Sequence, residues 1–397
     1  MSLNYWLVIN VWLIVCGQIS NNSLFKFWSR AFKEGRIKDI HGFNAIYQDG
    51  EYIKAKSYAN ELDYIFKSSI IFSKIVRYLQ TISIIMEDAV ELYKKLMALG
   101  ISVISSYDFN YPDSLISTDE PPLLLFIFND DIIRSFDDII AIVGTRKPSY
   151  EAVNITRSFA NALADIGVTC ISGNAMGIDR IVERSFVRRN APFIAVLPHI
   201  DLERVNYYEK NIAYVSEYIS GYCDNNLNGS MSWRLVKRNR IIAGLSRAVV
   251  VMEAPLMSGS LITAEYAWSY QRELFFLPTL RNKNNEGGIM YAIKFRRGDF
   301  VYDIEDIIVG VGMNEKLENL YRIIVRKICI VLNIDKDKEN FMISLFLRYR
   351  NIGKVLIKFR EGCRQLYEHD MIKLVQKGYV NIVKKKPVLY INQIFYD

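Results

Sequence analysis

The sequence predicts an α/β fold with a parallel-sheet core, and three observations predict it. Short apolar runs rich in β-branched residues recur at 139–143, 168–172, 193–197, 213–216, 248–252 and 274–277. Each stops at a turn former or a charged group, namely Gly144, Gly173, Pro198, Glu217, Glu253 and Pro278. Helix-length segments alternate with them; in the first, Val153, Phe159, Leu163 and Ala164 recur at helical spacing. Strands that are apolar throughout, without alternation, are buried on both faces, as parallel strands covered by helices are. The carboxyl ends of such strands share one edge. The turns at Gly144, Ser172, Gly173, Glu217 and Glu253 to Gly259 are therefore expected around one crevice.

Before this core the chain reads as helical, over residues 1–100. An apolar run at 3–16 contains Asn4 and Asn10, is shorter than the ~20 residues a membrane span needs, and lacks a basic leader or small-residue cleavage site. A buried first helix, and no membrane insertion, is expected. Periodic positions such as Ile71, Ile75, Leu79, Ile82 and Met86 continue the pattern as far as Gly100, a helix stop. From 101 to 138 the pattern turns extended: a short strand at Val103 and Ile104, then Pro121 and Pro122 before a strand at 123–128. This lead-in is expected to add a strand to the core, which then runs to residue 312.

Beyond 312 the spacing predicts helices near 315–332, 341–350 and 364–376, followed by a hairpin with lysines at 384, 385 and 386. Residues 313–397 hold 17 basic and 9 acidic residues, so the chain's net charge of +7 is concentrated in this segment. Such asymmetry suits a polyanionic partner or a solvated basic tail.

Composition removes several classes of function. With 51% hydrophobic and 23% charged residues in 397, the chain has ample core and is not disordered. Three histidines, none at metal-ligand spacing, and five scattered cysteines without a Cys-x-x-Cys argue against a metal site or a disulfide framework, and a reducing, cytoplasmic compartment is expected. Neither G-x-G-x-x-G nor G-x-x-x-x-G-K-[ST] occurs, so no nucleotide cofactor is expected.

The turns point instead to anion binding. Gly144-Thr145-Arg146-Lys147 joins a buried strand to a helix, where free backbone N–H groups and the helix dipole attract an anion, and Arg146 and Lys147 add two cations. Ser172 and Gly173 open a second turn that runs through Gly177 to Asp179, a carboxylate expected to act as a cap rather than as an acid or base. Lys237, Arg238, Asn239 and Arg240 place three cations and an amide before an apolar helix, a set suited to phosphodiester oxygens. Ser258 and Gly259 begin a further helix rich in hydroxyls, a second anion cradle.

These blocks carry a resemblance. AIVGTRKPS from Ala141, SGNAMGID from Ser172, AVLP from Ala195, SEY from Ser216, KRNRIIAGLS from Lys237 and SGSLITA from Ser258, with YDFNYPDSL and PPLLLFI upstream, resemble the DprA/Smf family of DNA-processing proteins over about residues 107–278. The resemblance implies a Rossmann-like core and a winged-helix-like domain at the C-terminus. It further implies a homodimer that binds single-stranded DNA in natural transformation, protects incoming strands and loads the RecA recombinase on them for homologous recombination, with no catalysis. By motif, DNA contacts are expected at Arg146, Lys237, Arg238 and Arg240, with donors from Ser172, Gly173, Ser258 and Gly259. The chain departs from the pattern at Asn174 and Met176, where an arginine is common, and at Leu235 and Val236, where Phe-Pro is usual. The alternative is a related Rossmann-like nucleotide monophosphate hydrolase with Glu253 or Asp179 as acid or base. Those enzymes carry PGG-x-GT-x-x-E, and this chain has EAPLMSGSLIT in that place.

Overall fold

The computed structural model describes residues 5–16, 19–33, 70–80, 82–133, 138–222, 231–278, 286–349, 352–359, 364–377, 379–383, 386–389 and 394–395. The chain divides into two compact units, one of Met1–Phe136 with Ile194–Leu245, the other of Asp137–Phe193 with Ser246–Asp397. Of the positions singled out above, Asn4, Lys384 and Lys385 lie outside the described residues.

In chain order the elements begin with α1 (Tyr5–Val15), α2 (Asn21–Lys33), α3 (Ile70–Gln80) and α4 (Ile82–Ala98). The apolar run is a buried helix as expected, and Asn10 explains part of its fit. Its side chain is fully buried, donates to the Trp6 carbonyl at 2.7 Å and accepts from the Trp28 indole at 2.6 Å, so it locks α1 to α2. No helix among the described residues is long and apolar enough to cross a membrane. One expectation is overturned: Cys16 is disulfide-bonded. Sequence spacing could not show this, because a pairing is made by the fold rather than by proximity along the chain.

Gly100, at φ +73°, ends α4 and turns the chain into β1 (Ile101–Ser105). After α5 (Asp113–Ile116) comes β2 (Leu124–Phe128). The alternating unit follows: β3 (Ile139–Val143), α6 (Tyr150–Asp165), β4 (Thr169–Ser172), α7 (Ile178–Arg188), β5 (Phe193–Val196), β6 (Ile200–Asp201), β7 (Ala213–Ser216), β8 (Ile219–Ser220), α8 (Met231–Leu245), β9 (Ala248–Val251), α9 (Gly259–Ser269) and β10 (Glu273–Phe276). Then come α10 (Gly287–Phe295), β11 (Asp299–Phe300), α11 (Ile304–Gly310), α12 (Asn314–Leu332), α13 (Lys336–Tyr349), α14 (Ile352–Phe359), α15 (Arg364–Gln376) and a hairpin of β12 (Val380–Val383) and β13 (Lys386–Leu389).

In the first unit the strand order is β1-β2-β7-β5, with β5 and β7 parallel and β1 and β2 antiparallel. The lead-in therefore adds two strands: β2 runs against β7, and β1, antiparallel to β2, runs in the direction of β7 and β5. In the second unit the order is β4-β3-β9-β10-β11 and every pairing between β3, β4, β9, β10 and β11 is parallel. All five residues of β3 and all four of β9 are buried, which is why their sequences are apolar without alternation. Helices α12 to α15 and the hairpin that follows them belong to this second unit. The architecture is the mixed α/β, Rossmann-like fold that the alternating pattern predicts.

Candidate nucleic-acid interface

In the second unit three strand-end turns are interlocked. The Thr145 amide donates to the Glu253 carbonyl at 2.7 Å, and the Ile178 amide donates to the Thr145 carbonyl at 3.2 Å. Glu253, 2% exposed, also accepts the Ser149 amide on its carboxylate at 2.8 Å. The turn after β3 is thus held from both sides by the turns after β4 and β9. Glycine is required for this approach. Gly177 has φ +87°, and a Cβ there would lie 2.3 Å from the Thr145 carbonyl oxygen. A Cβ on Gly144 would lie 2.6 Å from Ile178.

What this clamp presents is Arg146 and Lys147, both exposed. Arg146 has no hydrogen bond or ion pair among the described residues. Ser149 caps α6 by accepting the Ala152 amide at 3.1 Å. On the neighbouring strand Ser258 caps α9, its hydroxyl lying 2.9 Å from that of Ser260, and Gly259 is exposed at the first position of the helix. Two helix N-termini and two exposed cations therefore stand at one edge of the parallel sheet, where backbone donors and the dipole favour an anion.

Ser172 and Gly173 stand at this edge but are committed elsewhere. The Ser172 hydroxyl is buried and donates to the Ile142 carbonyl at 2.7 Å, which ties β4 to β3. The Gly173 and Ala175 amides donate to the Asp179 carboxylate at 3.2 and 3.3 Å. Asp179 is the structural acceptor expected of it, and the expectation that Ser172 and Gly173 offer donors to a ligand is corrected. Asp179 and Glu253, the two carboxylates of the hydrolase alternative, both hold backbone amides.

The cationic block from Lys237 belongs to the first unit, and it is placed differently from expectation. It does not precede a helix but forms the second half of α8. Arg238 and Arg240 are 6% and 2% exposed, and Asn239 is buried with them. Arg238 donates to the Val196 carbonyl at 2.9 Å, and Arg240 pairs with the buried Glu217 carboxylate. Burial pushes Glu217 above the usual carboxylate range, and the Arg240 guanidinium offsets part of that. These two arginines fasten α8 to the ends of β5 and β7, so the expectation of two surface cations is corrected. Successive residues of a helix are turned by about 100°, so adjacent cations meet different surroundings, which the run of charges conceals in one dimension. Lys237 alone faces outward: half-buried, 2.5 Å from Glu120 and 5.9 Å from the centroid of the Trp233 ring, which is 39% exposed.

Sequence reasoning missed one supporting residue. A Cβ on Gly287 would lie 2.3 Å from the Leu256 amide nitrogen, so this glycine seats the loop that leads from Glu253 into α9. Its signal was the Gly287-Gly288 pair after a polar run, which also marks many plain turns.

Comparison with known proteins shows the family. Residues 102–312 match the family model described as DNA recombination-mediator protein A. The chain is 40% identical over 183 residues to Protein Smf of Synechocystis sp., covering 44% of each protein. It is 34% identical over 265 residues to Protein Smf of Borreliella burgdorferi, covering 64% of this chain and 76% of the relative. It spans about half the length of several curated relatives, 48% for Protein Smf of Escherichia coli. The X-ray structure of DNA processing protein A from Streptococcus pneumoniae superposes with a TM-score of 0.55 at 22% identity, over 78% of this chain and 98% of that one, a likeness of fold. A match over more than half its residues, carrying the very turns that build the clamped sheet edge, shows that the chain belongs to the DNA recombination-mediator protein A family, the DprA/Smf proteins.

Proposed function

We propose that the chain binds single-stranded DNA, protects incoming strands during natural transformation and loads the RecA recombinase on them, as a cytoplasmic homodimer and without catalysis. Membership of a family of DNA-processing proteins supports the reading. The observation that carries it is Arg146: an exposed guanidinium with no counter-ion among the described residues, on a turn clamped by Glu253 and Gly177 and flanked by helix N-termini. Such a site takes phosphate oxygens without reading bases. In the first unit, taken by itself, Trp233 and Lys237 place an aromatic face beside a cation, the pairing that unstacked bases and their backbone favour. Under this reading residues 101–312 form the DNA-binding core, 1–100 a helical addition and 313–397 a basic domain whose hairpin adds backbone contacts.

The test is binding of a labelled single-stranded oligonucleotide, against duplex of equal length, across a salt series. The wild type is expected to prefer single strand and to weaken steeply with salt. Arg146→Ala with Lys237→Ala is expected to bind less tightly and to lower the slope of log affinity against log salt by about 0.7 for each lost contact. An unchanged slope would move the site to residues 313–397, and no binding by the wild type would sink the proposal.

A further inference from the structure

Helix α2 lies outside the residues that match the family model, and no motif gives it a role. Its sequence, NNSLFKFWSRAFK, holds three cations and no carboxylate. Leu24, Phe27, Trp28 and Ala31 are fully buried, and the Trp28 indole donates to Asn10 of α1 at 2.6 Å, so the rotation of the helix is fixed. Lys26, Arg30 and Lys33, at i, i+4 and i+7, share the opposite face, and all three are exposed. They span about 10 Å of helix axis. Like charges at this spacing repel, so the face costs stability, and an anion laid along it relieves the repulsion.

The border of this face is aromatic. Ser29, on its flank, has its hydroxyl 3.5 Å from that of Tyr107, and Trp6 of α1 packs edge-on against the Tyr107 ring at 5.6 Å. Two residues on, Phe109 is wholly exposed. The turn that carries it is tied down. The Asp108 amide donates to the Ser105 carbonyl at 2.8 Å, the Tyr111 amide to the Asp108 carbonyl at 3.0 Å, and the Tyr111 hydroxyl to the Pro122 carbonyl at 2.6 Å. The Asp108 carboxylate is turned back onto the Ser105 amide at 2.8 Å. A large ring held in water on a hydrogen-bonded turn forgoes the burial that its area would reward, and stacking on a base supplies it.

The same turn leads through α5 to Glu120, which pairs with Lys237 beside Trp233. The Lys237 hydrogen bond holds that carboxylate below its ordinary range, and Lys26 acts on it in the same direction. Cations and rings thus run from α2 across the Tyr107 turn to α8, all within the first unit.

We propose that α2 and the Phe109 turn are a second strand-binding surface of the first unit, with Lys26, Arg30 and Lys33 on backbone phosphates and Phe109 stacked on a base. Cations alone would serve duplex or single strand, but Phe109 can stack only on a base that is not already stacked in a duplex. The inference rests on the nucleic-acid reading above and extends it to a helix outside the matched core.

The test uses the full chain, with Lys26→Gln and Lys33→Gln combined and, separately, Phe109→Ala. All three side chains are exposed, and thermal unfolding checks that each variant keeps the wild-type midpoint. Labelled single-stranded oligonucleotide and duplex of equal length are titrated across a salt series. On single strand the lysine variant is expected to lower the slope of log affinity against log salt by about 0.7 for each lost contact. Phe109→Ala is expected to weaken single-strand binding about fivefold or more with the slope unchanged, and to bind duplex as the wild type does. An unchanged slope in the lysine variant overturns the surface, as does a Phe109→Ala protein that holds single strand as tightly as the wild type. A chain that binds single strand, loses affinity through Arg146→Ala and is indifferent to all three changes would sink this inference and leave the nucleic-acid reading standing. A wild type that binds no oligonucleotide would sink both.

Discussion

Two residues show how local environment, rather than residue type, sets what a charge does. Arg240 and Glu217 form a buried ion pair, and Lys237 also acts on the Glu217 carboxylate. Removing Arg240 alone strands a carboxylate out of water, so Arg240→Met is expected to lower unfolding free energy by about 3–5 kcal/mol in urea titration. The double variant Arg240→Met with Glu217→Met should recover most of that loss; equal losses in the two would refute the pairing. Asp303 is the opposite case. It caps α11 in a reciprocal box with Asp306, and burial together with the Asp306 charge pushes its carboxyl up to about 6. A carboxyl raised in the fold binds its proton more tightly there than in the unfolded chain. Its contribution is therefore favourable at low pH and is lost as pH rises from about 4 through about 6. Asp303→Asn keeps an N-cap without the charge and should gain on the order of 1 kcal/mol over the wild type above pH 7, the helix dipole holding the gain down, with no gain near pH 4. A pH-independent difference in unfolding free energy would show that the charge is not the cause.

Among the elements, turns are where one atom decides the outcome. Gly100 and Gly177 both have positive φ, but their surroundings differ. A Cβ at Gly100 meets only Phe128 at 3.9 Å, whereas one at Gly177 meets the Thr145 carbonyl at 2.3 Å. Gly100→Ala should cost about 1–2 kcal/mol of backbone strain and no more. Gly177→Ala adds a clash to about 1–3 kcal/mol of strain and cannot relax without moving the Arg146 turn. It is expected to lose oligonucleotide affinity as well as thermal stability, while Gly100→Ala loses stability only. Retained affinity in Gly177→Ala would show that the clamp does not position the binding turn. Helix α8 teaches a related lesson. Its cations follow one another in sequence, but the helix turns Lys237 to the surface and sends Arg234, Arg238 and Arg240 inward.

For the molecule as a whole, the C-terminal segment is not packed as a free appendage. Lys316 donates to the Gly167 carbonyl at 3.2 Å, and the buried Asn161 of α6 donates to the Phe395 carbonyl at 2.9 Å. Helix α12 buries Leu317, Leu320, Tyr321, Ile324, Val325 and Ile328 along one face. A chain ending at residue 312 would leave Asn161 without that acceptor and bare the surface that α12 covers. Its thermal midpoint is expected to fall by several degrees, since a few kcal/mol at this size shifts the transition by that much. An unchanged midpoint would mark residues 313–397 as an independent domain.

The sequence by itself determined the strand runs, the helices between them, the carboxyl-edge turns and the structural role of Asp179. Those follow from burial on both faces and from the few residues that can end a strand, and both leave marks in one dimension. Tertiary structure alone decided which charges reach solvent. Whether Arg240 meets water or Glu217, and whether Ser172 donates to a ligand or to Ile142, depends on a partner from another strand, far away along the chain. The disulfide at Cys16 and the close packing at Gly287 were hidden for the same reason: each is a contact between distant segments, and its energy exists only once they have met.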